Sequence, residues 1–310
     1  KQDQDKDMYV FGENESLEGN PNAYTDDSAS PYSLVAIYTF LHDSQPTPLA
    51  LSDEKEILGV VERVHGLMSD AGDWNKRIQG MQMLQALCWG TFHPHTQNPP
   101  SYVQTMSTHI LKHLHEVLGT CITDLRSCVC VCACRTVCVI SYTLQALTPS
   151  PHTSLLPILE GIWTKVVRVV GLKVMVMAEA ARMTVKCMAV CMQHAQVFGM
   201  CISMVSHKNV LIRKVGLEIL CMVCCIWSEN ILDKQISLLI QTITHTLRDA
   251  DAAVRKLART CYGVLKTSCQ GMAWGKKVVA KVEDGVDAGI LRTLSVTEEG
   301  VAGISKLPRK

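Results

Sequence analysis

Residues 236–265 read ISLLIQTITHTLRDADAAVRKLARTCYGVL, and their periodicity decides the fold. Ile236, Leu239, Ile240, Ile243 and Leu247 keep the spacing of an apolar stripe on a helix. Val254, Leu257, Ala258, Cys261, Tyr262 and Leu265 repeat it, while Arg255, Lys256, Arg259 and Lys266 fall off the stripe. Only Arg248-Asp249-Ala250-Asp251 lies between the two, enough for a tight turn, so the helices are antiparallel. A hairpin of this kind has two sides to bury and is stable only when stacked on others.

Similar corners recur along the chain. His207-Lys208-Asn209 precedes Val210-Leu211-Ile212-Arg213, and Thr123-Asp124-Leu125-Arg126 opens another helix. Gly72-Asp73-Trp74-Asn75-Lys76-Arg77 leads into Ile78, Met81, Leu84 and Cys88 at helical spacing. Arg213 to Arg255 is 42 positions and Arg126 to Arg213 is 87, close to two further steps, which is the length of a HEAT or armadillo unit. The missing boundary is expected near residue 170, where Arg168, Gly171 and Lys173 stand. Five hairpins follow, with a sixth expected in the C-terminal segment. The fold class is all-α, an α-solenoid of about six HEAT repeats. Stacking puts corners of one type on one edge, which then carries Trp74 and a row of cations.

Composition agrees with this class. Of 310 residues, 47% are apolar and only 5% aromatic, too few aromatics for a large β-sandwich or barrel. A formal net charge of +1 argues against nucleic-acid binding by bulk electrostatics and against a basic membrane-surface protein. The 15 cysteines are odd in number and lie mostly inside apolar helical runs, which fits a reduced cytosolic protein better than a disulfide framework. Lys1 to Asp7 is charged with no apolar run behind it, so no signal peptide is expected. Thr136 to Leu159 contains three prolines, and Cys187 to His207 is dotted with Gln and His; neither reads as a membrane span. Residues 1–32 read as a flexible arm, 33–290 as the HEAT-repeat domain and 291–310 as a tail. Ser52 is the expected cap of the first long helix, with Glu54 and Glu56 in its first turn.

The corners resemble those of TOG domains, most closely the second TOG domain of the CLASP microtubule regulators. Asp73-Trp74-Asn75-Lys76-Arg77 resembles that family's first loop, Asp124-Leu125-Arg126-Ser127 its second, and Ser206 through Lys214 its fourth. Asp249-Ala250-Asp251-Ala252-Ala253-Val254-Arg255, continuing to Ala258-Arg259-Thr260-Cys261-Tyr262, is similar to the fifth and is the most specific match. Val35-Ala36-Ile37-Tyr38 is similar to the segment leading into the domain, and the likeness covers residues 33 to 275. The resemblance implies a paddle of six HEAT repeats that binds the αβ-tubulin heterodimer through its intra-repeat loops. It implies regulation of microtubule dynamics by rescue and catastrophe suppression, with no catalysis and no cofactor.

Carried over by position, Trp74 packs on tubulin. Lys76 or Arg77, Arg126, Lys173, Lys208, Arg213 and Arg255 meet acidic or polar groups or brace the loops, and Asp124, Asn209 and Asp251 of the same loops are counted with them as tubulin-binding residues. The implied setting is a monomeric domain on microtubules in the cytoplasm, the spindle included, with no nucleic-acid or membrane partner. Three departures stand out. Thr123 replaces the family's usual Lys; the helix from Lys173-Val174-Met175 to Gln193-His194 reads several residues longer than the family's; and Cys128 to Cys138 replaces partly charged surface. The alternative is a generic HEAT scaffold for a non-tubulin protein.

Other chemistry is weakly signalled. Cys128, Cys130, Cys132 and Cys134 would align four thiols on a strand, but on a helix they point to different faces and read as small buried residues. Cys221 and Cys224 form a C-x-x-C embedded among Met222, Val223, Ile226 and Trp227, which reads as core. His109 and His113 at i, i+4, with Glu116 after them, lack the intervening Glu of a zinc protease and read as an exposed polar face. No phosphate-binding glycine loop, dinucleotide fingerprint or nucleophile elbow is present. Met175, Met177, Met183, Met188, Met192, Met200 and Met204 are expected in the core, as are Trp163 and Trp227.

Overall fold

The computed structural model describes residues 34–43, 45–91, 100–145, 155–268, 273–286 and 288–294. The expected arm at 1–32 and the tail beyond residue 294 lie outside the described residues. Two compact units are formed, one of Ala36–Met192 and one beginning at Gln193.

The first unit holds α1 (Leu34–His42) and three antiparallel pairs: α2 (Glu54–Ser69) with α3 (Trp74–Thr91), α4 (Pro100–Ile122) with α5 (Ser127–Gln145), and α6 (Leu156–Val170) with α7 (Met175–Cys191). The second unit holds α8 (Ala195–Val205) with α9 (Val210–Ile226), the short α10 (Glu229–Asp233), α11 (Ile236–Thr246) with α12 (Ala252–Ser268), and α13 (Ala273–Gly285) with α14 (Ala288–Leu294). Six helix pairs are therefore present among the described residues, including the one expected in the C-terminal segment. Helix α14 runs across residue 290, where the sequence suggested that a tail begins.

In the first unit the leading helices α2, α4 and α6 pack side by side as one layer and α3, α5 and α7 as another. Like helices run parallel. Near their C-terminal ends, Cys121 of α4 donates its thiol to the Met68 carbonyl of α2. In the other layer Thr184 of α7 donates to the Cys134 carbonyl of α5 at 3.2 Å, and Cys187 reaches the Cys138 carbonyl one turn on. Gln85, buried between α3 and α5, donates to Thr136 Oγ1 at 2.8 Å, so its burial leaves no unpaid amide donor there. In the second unit α8, α11 and α13 form one layer and α9, α12 and α14 the other. Tyr262 of α12 donates a short hydrogen bond to Glu283 of α13. Burial and this carboxylate together push the Tyr262 phenol above its ordinary range.

The helical stripes bury as expected. Ile236, Leu239, Ile243 and Leu247 are in the core, as are Val254, Ala258, Cys261, Tyr262 and Leu265, while Ile240 and Leu257 are half-buried. Trp163 and Trp227 are buried, and so are Met177, Met188, Met192, Met200 and Met204. Met175 is not: it opens α7 with 74% of its surface in solvent, whereas Met177 in the same turn is buried, and Met183 is half-buried. The cap of α2 is Asp53 and not Ser52; its carboxylate accepts from the Lys55 and Glu56 amides at 2.6 and 3.4 Å. Helix α7 has 17 residues, the same as α9 and α12, and ends at Cys191 because His194 caps α8. The extra length expected there is taken up by a short connection.

Helix α1 and the chain after it are strapped to this unit. Arg135 of α5 donates to the Phe40 carbonyl at 3.1 Å, pairs with Asp43 at 2.6 Å and lies over the Phe40 ring. Further on, Leu49 exchanges bonds with α3, donating to the Ala86 carbonyl at 2.8 Å and accepting from Thr91 Oγ1 at 2.9 Å. This approach is possible only because residue 90 is glycine: a Cβ there would stand 2.2 Å from the Leu49 carbonyl carbon. Gly90→Ala is expected to expel the strap and lower unfolding free energy by about 2 kcal/mol or more, read by urea denaturation, with faster proteolysis near residue 49.

Candidate functional site

Each helix pair turns at a corner, and the residues singled out by sequence lie at five of them. At the first, two aspartates shape the turn. Asp70 Oδ1 accepts from the Gly72 and Asp73 amides at 2.9 and 3.0 Å, and Asp73 caps α3 by accepting from Asn75 and Lys76 at 2.9 and 3.4 Å. Lys76 reaches back to Asp70 Oδ2 at 2.8 Å, a bond that holds the Asp70 carboxyl below its ordinary range and raises the Lys76 ammonium. Trp74, the first residue of α3, is 40% exposed. Arg77 goes the other way. Buried to 8% exposure, it donates from Nε to the Asp70 carbonyl at 2.8 Å and from Nη1 to Asp124 of the second corner at 2.5 Å.

The second corner is organised by that same Asp124, whose Oδ1 accepts from the Arg126 amide at 2.8 Å. The turn pushes Leu125 outward to 94% exposure and leaves the Arg126 side chain half exposed. At the third corner Lys173 is exposed between Leu172 and Val174, and the cap position of α7 is Val174, which offers its amides no side-chain acceptor.

In the second unit the fourth and fifth corners are coupled in the way the first two are. Asn209 caps α9 by accepting from Leu211 at 2.9 Å, and Asp251 caps α12 by accepting from Ala253 and Val254 at 2.9 and 3.1 Å. Arg213 donates to the carbonyls of His207 and Lys208 at 3.0 and 3.1 Å and crosses to Asp249 with two contacts of 3.0 and 2.9 Å. Arg255 folds onto its own corner, donating to the Asp249 and Ala250 carbonyls at 2.7 and 2.8 Å. Burial works to raise the Asp249 carboxyl, but the Asp251 amide and the Arg213 guanidinium outweigh it and hold the group below its ordinary value. Arg248 donates to the Gly285 carbonyl at 3.1 Å, which brings the end of α13 to the same edge.

The candidates thus divide in two. Arg77, Arg213 and Arg255, with Asp124, Asn209 and Asp251, build the corners; Trp74, Lys76, Arg126, Lys173 and Lys208 point outward from them. The three bracing arginines share one register, the fourth residue of the second helix of a pair. Arg126 is outside that register. It directly precedes α5, and the equivalent positions in α5 and α7 are Cys130 and Ala178. The steps from Arg77 through Cys130, Ala178 and Arg213 to Arg255 are 53, 48, 35 and 42 residues, so the even spacing counted through Arg126 does not follow the structural repeat. Sequence reading missed Asp249 as an ion-pair partner and Leu125, Val174, Met175 and Val176 as outward groups. An acid one corner after Arg77 and after Arg213 was the available signal for the first; the apolar residues resemble ordinary core in a string of letters.

The remaining clusters are structural. Cys128 to Cys138 lie on helix α5, where Cys128 is exposed and Cys130, Cys132, Cys134 and Cys138 are buried; burial pushes the Cys132 thiol up to about 11. Cys221 and Cys224 are buried. His109 and Glu116 are exposed, while His113 meets Glu62 of α2 at 3.3 Å and its ring lies against His65. Among the described residues no group of three or more His, Cys, Asp or Glu is placed to hold a metal ion, and no helix is long and apolar enough to cross a membrane.

The profile of the CLASP N-terminal family matches residues 70–273, a span holding all five corners. The chain belongs to the CLASP N-terminal family. A CLIP-associated protein of Arabidopsis thaliana is 24% identical over 217 residues, covering 69% of this CLASP-family chain but only 14% of the relative's own length. The fold is that of TOG domains. A chain from the structural study of plus-end tracking by XMAP215, CLIP-170 and EB1 superposes with TM-score 0.58 at 13% identity, over 89% of this chain and all of that one. A Crescerin TOG domain gives 0.54 at 16% identity, covering 80% and 91% of the two chains. The MAST/Orbit N-terminal domain gives 0.53 at 14%, covering 83% and 99%.

The division into braces and outward groups has measurable consequences. Arg77→Ala strands the nearly buried Asp124 carboxylate and is expected to cost about 3 kcal/mol in urea unfolding, whereas Lys76→Ala, which breaks an exposed pair, should change stability by less than about 0.5 kcal/mol. Because the folded Asp249 carboxyl lies below its unfolded value of 3.8, its ionised form stabilises the fold above that value, and the contribution is lost as pH falls through the folded pKa. Asp249→Asn should therefore cost more at pH 7 than at about pH 3, as read by urea unfolding at both.

Proposed function

We propose that this chain binds the αβ-tubulin heterodimer through its inter-helix corners and so regulates microtubule dynamics, favouring rescue and suppressing catastrophe, on microtubules of the cytoplasm. The observation that carries the reading is Trp74. A polar corner turns a large amphipathic ring into solvent where the same protein buries Trp163 and Trp227. An exposed indole beside cations suits a protein partner with an apolar recess in an acidic surface, the anchor supplying area and the cations orientation and encounter rate. Outward Lys173 and Lys208 supply the charge, together with Lys76 and Arg126, which are paired with Asp70 at 2.8 Å and Asp124 at 3.6 Å. Membership of the CLASP N-terminal family supports the choice of partner, as do TOG-fold structures from work on microtubule regulation and plus-end tracking.

Arg213 and Arg255 act in this reading by holding the corners in shape, so reversing their charge would disturb the fold as well as any contact. Cleaner probes are the outward residues. The chain is expected to co-elute with αβ-tubulin in size-exclusion chromatography at low salt and to do so less as salt rises toward physiological strength. Trp74→Glu should abolish co-elution with helical circular dichroism unchanged, and Lys173→Glu with Lys208→Glu should weaken it and flatten its salt dependence. Undiminished co-elution of Trp74→Glu would count against the proposal; no binding by the wild type would return the chain to the scaffold reading.

A further inference from the structure

The formal +1 of the chain hides two opposed charges. Residues 1–32 carry eight acids against Lys1 and Lys6, so this segment is −6 and the remainder of the chain +7. A terminal block of one sign attached to a body of the other is an electrostatic tail with a counter-surface in the same molecule.

The leading helices show where that counter-surface lies. In the first unit they interleave signs: α2 exposes Glu54, Lys55, Glu56, Glu62 and Arg63, and α4 exposes Lys112 one turn before Glu116. In the second unit α8 bears no charged side chain, whereas α13 exposes Lys276, Lys277 and Lys281 and α11 is bounded by exposed Lys234 and Arg248. Helices α11 and α13 pack side by side, α10, which Lys234 caps, packs on α13 as well, and Arg248 donates to the Gly285 carbonyl at 3.1 Å. Between the two bounding cations the outward stripe of α11 is Ser237, Gln241 and His245, without an acid. Glu283 is engaged by Tyr262, which leaves Asp233 and Asp284 as the exposed acids of α10, α11 and α13.

These cations are unanswered where they stand. Lys234, Lys276, Lys277 and Lys281 make no ion pair among the described residues. Lys276 closes the first turn of α13, which holds no acid, and so opposes the helix dipole. Interspersed signs keep a face soluble, but a face of one sign collects polyanions. Residues 1–32 supply that polyanion and lead into α1 at Leu34. Extended, they reach about 110 Å, against about 35 Å for the 23 residues of α4, so length is no obstacle. Surface ion pairs are weak one by one, yet a tether holds the segment near its target at roughly millimolar effective concentration, where several weak pairs suffice.

We propose that the acidic segment 1–32 docks on the cationic face of α11 and α13, its carboxylates paired with Lys234, Lys276, Lys277 and Lys281. The chain thereby covers its own polyanion-binding surface, and another acidic segment engages that surface only by displacing the tail. The dock uses helix faces and not the corners, so it does not rest on the tubulin reading.

The test couples carboxylates to amines in the full chain with a water-soluble carbodiimide at low salt, followed by mass spectrometry of the monomer. Couplings from residues 1–32 are expected at Lys234, Lys276, Lys277 and Lys281 severalfold more often than at exposed Lys173 and Lys208, and to fade at about 0.5 M salt, where the screening length is about 4 Å. A second measurement reads the tail without those amines: cleavage after Glu13, Glu15 and Glu18 by a glutamate-specific protease. Lys276→Gln combined with Lys277→Gln and Lys281→Gln is expected to speed that cleavage about threefold or more with unchanged circular dichroism, whereas Lys173→Gln with Lys208→Gln leaves it as it was. Couplings spread evenly over the exposed lysines, couplings found only between two copies of the chain, or equal cleavage of the wild type and the triple variant would each overturn the dock.

Discussion

Two arginine–aspartate pairs, Arg77 with Asp124 and Arg213 with Asp249, set the geometry of the first, second, fourth and fifth corners and of the groups that leave them. A cation in the first turn of a helix opposes the helix dipole, so these arginines occupy an unfavourable place unless something nearby accepts from them. Carbonyls do so on one side and a carboxylate on the other. The rigid fork of the guanidinium lets one side chain bond its own corner and the next simultaneously, which a lysine with a single point of charge would not. Within each unit the pair converts two turns that could flex separately into one surface. Trp74 then leaves the first corner from a backbone pinned by Arg77 at the Asp70 carbonyl, and Leu125 leaves the second from a turn pinned by the same guanidinium at Asp124.

The third corner shows what happens without the brace. Ala178 stands where the guanidinium would be, and the cap is a valine. The corner keeps its shape through packing of α6 and α7, whose buried faces include Leu159, Val166 and Val170 on one helix and Met177, Ala181 and Val185 on the other. Its outward residues are therefore free to be apolar, since no polar network has to be satisfied there. Apolar side chains are exposed at braced corners too, Leu125 and Leu211 among them, but the unbraced corner carries four, Leu172, Val174, Met175 and Val176, around Lys173. The difference follows from where the structural hydrogen bonds are spent.

Much of the fold was legible because helical periodicity and short polar connections are local signals. Residues 236–265 announce a hairpin by stripe and turn length alone, and the stripe of α3 from Met81 to Cys88 buries as read. The errors occur where a local pattern has two structural solutions. Ser52 and Asp53 are both good caps, and only the backbone bend at Asp53 selects the second. Arg126 and Arg213 both stand near a helix start, yet one precedes the helix and the other is a full turn inside it, a difference that reverses their roles. Met175 reads as a core residue, but in the first turn of α7 it is Met177 and Ala178 that are buried, and Met175 is left in solvent. Inward and outward arginines cannot be told apart by spacing alone, because the acceptor lies on another repeat.

The thiols show how the helix faces are used up in packing. Helix α5 packs against both α3 and α7, and a helix shared by two neighbours needs side chains small enough for close approach. Cysteine meets that need and can still donate weakly to a passing acceptor, as Cys138 does toward Thr184 and Cys187 toward the Cys138 carbonyl. The same burial suppresses reactivity, lifting Cys121 to about 11 and Cys88 to about 12, far above the range in which a thiolate exists at neutral pH. At the turns where the helix layers end, the register position of the second helix decides whether a cation is held by the fold, as Arg77, Arg213 and Arg255 are, or stands in solvent, as Lys173 and Lys208 do.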